Sequence, residues 1–139
     1  MNRLVCFILG TRPEIIKLSP LIRACITHNI PYTLIHTGQH YSYKLSDLIF
    51  KDLNLPKPDY NLGIGSAPHG EQTGKMLIAL EPILRKEHPS AIIVLGDPNS
   101  AFAGALAASK LHIPVCHVEA GRRSFDKRMP EELNRLMID

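Results

Sequence analysis

The chain has 139 residues, 45% of them hydrophobic and 21% charged, with a formal net charge of +3. That length suits one domain with a sizeable core, and the mild, scattered charge fits an anionic small molecule while arguing against nucleic acid. No stretch approaches the roughly 20 apolar residues of a membrane span, so no membrane association is expected.

Residues 4–9 form a continuous apolar run stopped by Gly10, the pattern of a parallel strand buried on both faces. No cleavage-site pattern follows it, so it does not read as a signal peptide. Pro13 suits the first turn of a helix, where its missing N–H costs nothing. Ile15, Leu18, Ile22, Cys25 and Ile26 then repeat at helical spacing to about His28. Pro20 is expected to interrupt and kink that helix, because it removes an internal hydrogen bond. Residues 32–37 are the second strand, closed by Gly38, and a short helix follows over 43–50. Residues 55–66 are rich in Pro, Gly and Asn and read as loop. A third helix covers 69–88, with a bend at Pro82. The next strand is 91–95, followed by an alanine-rich helix whose small side chains let it lie close on a sheet. Residues 114–118 are another strand, and Pro130 opens a last helix through Leu136 and Met137. Strands alternating with helices imply an α/β doubly wound parallel sheet with right-handed crossovers.

Four of the predicted strands end in a glycine beside a polar or charged residue: Gly10-Thr11-Arg12, Thr37-Gly38-Gln39-His40, Gly96-Asp97 and Glu119-Ala120-Gly121. In an open parallel sheet the strand carboxyl ends share one edge, and ligands bind in the crevice there. The first junction opens a helix, whose N-terminal N–H groups and dipole favour an anion. Arg12 could clamp phosphate or carboxylate, with Lys17 about one turn further in; the competing reading pairs Arg12 with a neighbouring carboxylate. Gly63-Ile64-Gly65-Ser66 imitates a phosphate loop but follows no convincing strand and reads as an ordinary loop.

Asp97, Glu119 and Glu131 are the acids of most interest. Carboxylates gathered in a cleft raise one another's proton affinity, so that one can act as acid or base near neutral pH. The competing reading makes Asp97 a helix cap and gives Glu131 and Glu132 to a helix dipole. The seven histidines show no HxxxH or HxH pair, so no metal is expected; His40 and His117 sit near strand ends and could face the crevice. The three cysteines, Cys6, Cys25 and Cys116, have no metal-ligand spacing. They are expected buried and reduced, which points to the cytoplasm.

The segments Gly10-Thr11-Arg12-Pro13-Glu14-Ile15-Ile16-Lys17, Thr37-Gly38-Gln39-His40 and His117-Val118-Glu119-Ala120-Gly121 resemble those of the UDP-N-acetylglucosamine 2-epimerases. Arg123-Ser124 and Met129-Pro130-Glu131-Glu132-Leu133-Asn134-Arg135 extend the likeness to the chain's end, and the archaeal-type members of the non-hydrolysing class look closest. The resemblance implies two Rossmann-like domains in a glycosyltransferase-B arrangement, with the active site between them. It implies interconversion of UDP-GlcNAc and UDP-ManNAc with no added metal or nicotinamide cofactor, by loss of the C2 proton and UDP followed by re-addition. A homodimer is expected, because exposed apolar surface such as that at Leu136 and Met137 favours self-association.

By the same resemblance, Asp97, Glu119 and Glu131 match catalytic carboxylates, and Arg12 and Lys17 match residues near the nucleotide phosphates. Gln39 and His40 match a loop linked in some members to a second, activating UDP-GlcNAc. His117 is grouped with the substrate-binding residues. The chain departs from the family pattern at Pro98, which replaces a threonine, and at Arg122, which replaces a leucine. The family runs to roughly 350 residues, two domains by ordinary domain size. Residues 1–139 are therefore expected to be a truncated amino-terminal domain, incomplete alone, lacking the second UDP-binding domain and leaving Leu136 and Met137 short of partners. The alternatives are a hydrolysing epimerase, a related retaining glycosyltransferase, or a truncated domain without catalysis.

Overall fold

The structure is a computed structural model that describes residues 3–40 and 43–139. Its elements are β1 (Val5–Leu9), α1 (Arg12–Thr27), β2 (Tyr32–His36), α2 (Tyr43–Asp52), β3 (Tyr60–Asn61), α3 (His69–Glu87), β4 (Ala91–Leu95), α4 (Asn99–Lys110), β5 (Val115–Val118) and α5 (Pro130–Ile138). The strands form one parallel sheet in the order β3-β2-β1-β4-β5. The chain therefore winds outward from β1 through β2 to β3, then returns to β1's other side for β4 and β5. The reversal lies between β1 and β4, and a doubly wound sheet binds ligands outside the carboxyl ends of the strands at such a switch point.

Alternation along the strands divides the core between the two sheet faces. Cys6 and Ile8 of β1 join Met76, Leu80 and Leu84 of α3 and the buried alanines of α4. Phe7 and Leu9 join Ile15, Leu18 and Ile22 of α1 and Phe50 of α2. Alanine suits α4 because the helix lies directly on the strands. A Cβ built on Gly104 would stand 3.0 Å from Ile8 Cδ1 and 3.2 Å from Val94 Cγ1. Gly104→Val overfills that contact and should cost about 2–3 kcal/mol, read as a lowered urea midpoint with an unchanged slope; an unchanged midpoint would show that the helix can lift off the sheet at little cost.

Three expectations are corrected here. The segment expected as loop over 55–66 contains β3, which pairs Tyr60 with Ile35 and Asn61 with His36. α1 runs through Pro20 without interruption. Cys116 is exposed, whereas Cys6 and Cys25 are buried. It lies on β5, the sheet's outer strand, where an apolar run need not be covered on both faces. Leu136 and Met137 of α5 are exposed, as is Leu133.

Candidate functional site

The four glycine-ended junctions meet at one cavity of about 570 Å³, lined by residues including Thr11, Gln39, His40, Gly96, Asp97 and Glu119. The first turns of α1, α3, α4 and α5 add Glu14, Gln72, Asn99 and Glu131. Four helix N-termini around one space put several positive dipole ends against it, which favours an anionic ligand.

At the β1–α1 junction two backbone N–H groups just before the helix are taken by the chain itself. Glu14 Oε1 accepts from the backbone N–H of Gly10 at 2.9 Å and of Thr11 at 2.9 Å, and from Thr11 Oγ1 at 3.0 Å. Ser100 Oγ, from the start of α4, donates to the same oxygen at 2.8 Å. Glu14 Oε2 is buried and has no partner among the described residues. Burial pushes this carboxyl up to about 7 despite the four donors.

At the β4–α4 junction Gly96 takes φ +70°, a conformation open to glycine at little cost. Asp97 does not cap α4, whose N-cap is Pro98. Its Oδ2 accepts from Arg135 Nε at 3.0 Å and Nη2 at 2.5 Å, and its carbonyl accepts from Asn134 Nδ2 at 2.8 Å. At the end of β5, Glu119 holds φ +67°. A non-glycine residue in that region is strained, and such strain gathers at functional sites. Lys17 Nζ donates to Glu119 Oε1 at 2.7 Å and Arg122 Nη1 to Oε2 at 3.3 Å. The Lys17 hydrogen bond, and then the positive charges of Lys17 and Arg122, hold the Glu119 carboxyl below its ordinary range although desolvation opposes them.

The expected mutual repulsion of carboxylates is therefore corrected at Glu119. Asp97 and Glu119 are each held by cations, and the acid lifted toward neutrality is Glu14. Sequence reasoning left Glu14 inside a motif; its spacing from Thr11 is a capping-box signature, which announces a helix start but not a buried carboxyl.

A polar chain braces the cavity from β2 to α5. Gln39 Oε1 accepts from Ser100 N–H at 3.0 Å, and Gln72 Nε2 donates to the carbonyls of Gln39 at 3.2 Å and Gly65 at 2.9 Å. Asn99 Nδ2 donates to Gln72 Oε1 at 2.9 Å, and Asn134 Nδ2 donates to Asn99 Oδ1 at 3.0 Å. Gln39 is thus a buried structural link as well as a lining residue. Gln72 and Asn99 were missed because lone amides carry no sequence signature, and Asn134 was left without a role inside its motif.

Two expected ligand groups lie outside the lining. Arg12 is exposed at the first position of α1 and is not among the cavity residues. His117 does not face the cavity: Nε2 meets the Gly96 carbonyl at 2.8 Å and Nδ1 meets Asp139 Oδ1 at 2.5 Å. It ties β5 to the β4 junction and to the end of α5. Glu132, beside Glu131, is buried and accepts from Ser124 Oγ at 2.7 Å and from the N–H groups of Ser124 and Phe125, so it fixes the loop before α5.

A family profile described as UDP-N-acetylglucosamine 2-epimerase matches residues 23–139. The UDP-N-acetylglucosamine 2-epimerase of Methanocaldococcus jannaschii is 62% identical over 132 residues, which are 95% of this chain and 36% of that protein. The UDP-2,3-diacetamido-2,3-dideoxy-D-glucuronate 2-epimerase of Pseudomonas aeruginosa is 49% identical over 133 residues, 95% of this chain and 38% of that one. Among solved structures, the Methanocaldococcus jannaschii UDP-GlcNAc 2-epimerase in complex with UDP-GlcNAc and UDP gives a TM-score of 0.94 at 60% identity, over 98% of this chain and 38% of that one. The Neisseria meningitidis enzyme bound to UDP-GlcNAc gives 0.90 at 34% identity, over 97% and 37%. The chain spans little more than a third of the length of these relatives.

Proposed function

Because the chain belongs to the UDP-N-acetylglucosamine 2-epimerase family, we propose that its cavity is the amino-terminal half of a cleft that inverts C2 of UDP-GlcNAc to give UDP-ManNAc. The observation that carries this reading is Asp97, Glu119 and Glu131 lining one cavity ringed by helix N-termini. Inversion begins when a base takes the C2 proton and UDP leaves with the electron pair of the C1–O bond, giving 2-acetamidoglucal. UDP then re-forms that bond while an acid delivers a proton to the opposite face of C2.

The three carboxylates are the proposed proton carriers. Lys17 and Arg122 stand beside Glu119, and Arg135 beside Asp97, where cations can offset charge on departing UDP. A pyrophosphate that draws Lys17 away would return proton affinity to Glu119, tying substrate binding to acid–base strength. Arg12, exposed at the start of α1, and His40, on the lining, are proposed phosphate and loop contacts, while Gln39 and His117 act on substrate through the packing described above.

Two measurements test the reading. Calorimetry of UDP against this chain should show saturable binding. A chimera carrying this chain in place of the matching third of the archaeal relative should form UDP-ManNAc from UDP-GlcNAc. Free UDP and ManNAc without UDP-ManNAc would indicate hydrolysis instead, and no turnover would remove the catalytic assignment.

The likeness to an epimerase of a 2,3-diacetamido uronate favours a second substrate within the same chemistry, and parallel assays of the chimera on both sugar nucleotides separate the two. The reading extends to a cytoplasmic homodimer. Its three free cysteines suit a reducing compartment, and light scattering that returns a monomer mass would remove the dimer. Among the described residues no helix is long and apolar enough to cross a membrane.

A further inference from the structure

Resting on the nucleotide reading above, we propose that Glu14 takes up a proton when a phosphate-bearing ligand enters the cavity, so that this buried residue couples anion binding to protonation. Glu14 lies on the cavity lining, yet its two oxygens differ completely. Oε1 is saturated by Gly10 N–H, Thr11 N–H, Thr11 Oγ1 and Ser100 Oγ, while Oε2 is buried and meets no donor among the described residues. The ionised form is therefore stabilised at one oxygen only, and the bare oxygen is where a proton is accommodated.

The charges around the cavity sharpen the effect. Its lining cations are Lys17 on α1, Arg122 beyond β5 and Arg135 on α5. Each is already engaged with Glu119 or Asp97, and none with Glu14. Among the described residues, the other titratable groups on the lining are His40 after β2, His69 at the start of α3 and Glu131 on α5. An entering phosphate adds negative charge that no cation holds on Glu14's behalf. Its proton affinity must rise, and a proton passes from solvent buffer to Oε2, converting carboxylate to carboxyl. Burial already brings the group to about 7, so both forms are populated at neutral pH and a modest push changes their ratio. Ser100 links this proton to the start of α4, two residues after Pro98 and three after Asp97. Glu14 is thus a positioning residue that acts through the α1 and α4 N-termini.

The test follows the Glu14 side-chain carboxyl by ¹³C NMR across pH, in the chimera with the archaeal relative described above, with and without saturating UDP. The expected result is a midpoint near neutrality in the free chimera and an increase of about threefold or more in proton affinity with UDP. Ser100→Ala removes one donor to the charged form and should raise the free midpoint further; that variant keeps the carboxyl should Glu14→Gln fail to fold. Glu14→Gln should bind UDP with less proton uptake than the unsubstituted chain at the same pH, measured by calorimetry in buffers of different ionisation enthalpy. A free midpoint below pH 5, a midpoint unmoved by bound UDP, or one unmoved by Ser100→Ala overturns the inference. Backbone resonances of Lys17 and Asp97 report binding independently. If UDP leaves them unperturbed, the nucleotide reading fails and the inference falls with it; if they move and Glu14 does not, the inference alone fails.

Discussion

In the chimera with the archaeal relative, Glu119→Gln should lower the turnover of UDP-GlcNAc by about 10²–10⁴-fold, the usual worth of a positioned acid or base. The change is nearly isosteric, so the left-handed backbone at Glu119 and the packing around it are kept. What disappears is the charge that Lys17 and Arg122 share and the capacity to carry a proton. Most of the loss should appear in kcat, because the removed interaction belongs to proton transfer rather than to holding the nucleotide. Asp97→Asn should act similarly. There the side chain keeps an oxygen for Arg135, whose guanidinium donates twice to Asp97 Oδ2, but no longer neutralises it. Unchanged rates in either variant, with the far-UV spectrum intact, would remove that residue from the chemistry and leave it as a structural partner of its cation.

The sequence made the layered architecture legible because β1 and β4 are continuous apolar runs closed by glycine. Cys6 to Leu9 are buried on both faces, and Ile92, Val94 and Leu95 are buried while Ile93 is half-buried; the apolar runs announce this without tertiary information. β3 was invisible for the opposite reason. It is two residues long and held to β2 by backbone pairing, in a segment whose prolines and glycines signal a loop. Cys116 was misjudged because hydrophobicity reports what a residue tolerates, whereas exposure depends on β5 being outermost in the sheet.

The strand-end rule located the cavity, since it follows from topology alone. It could not assign partners inside it. Lys17 and Glu119 are 102 positions apart in the chain, and only the fold decides that Glu119 is neutralised by a lysine and an arginine rather than crowded by Asp97. Glu14 shows the same limit from within a motif. Three of its four donors come from its own helix start, but the fourth, Ser100, and the burial that raises its proton affinity arrive from α4.

Glu14 and His36 should write opposite slopes into the pH dependence of stability. Glu14 is lifted from its ordinary 4.5 to about 7 by burial, so between those values the folded chain binds more protons than the unfolded one. Its contribution is complete below pH 4.5 and is lost as pH rises toward 7. His36, 2% exposed and packed edge-on against Phe50, is pushed from 6.5 down to about 4 by burial. There the unfolded chain binds more protons, so stability is complete above pH 6.5 and is lost as pH falls toward 4. Each displacement corresponds to about 3 kcal/mol, and their windows overlap between about pH 4.5 and 6.5, where the slopes cancel.

Urea unfolding of the unsubstituted chain should therefore give a nearly level plateau over that range. Stability should decline above it as Glu14 ionises. Below it the decline should be steeper, because Glu119, Glu132 and Asp139, held ionised by their partners, are protonated there as well. Glu14→Gln removes the first slope, so stability should climb by about 2 kcal/mol from pH 4.5 to 6.5. His36→Leu removes the second, and stability should fall by about 3 kcal/mol from pH 4.5 to 7. Curves for both variants that run parallel to the unsubstituted chain would mean that neither group is displaced from its ordinary range, and the buried carboxyl would then need a partner for Oε2 that the fold does not supply.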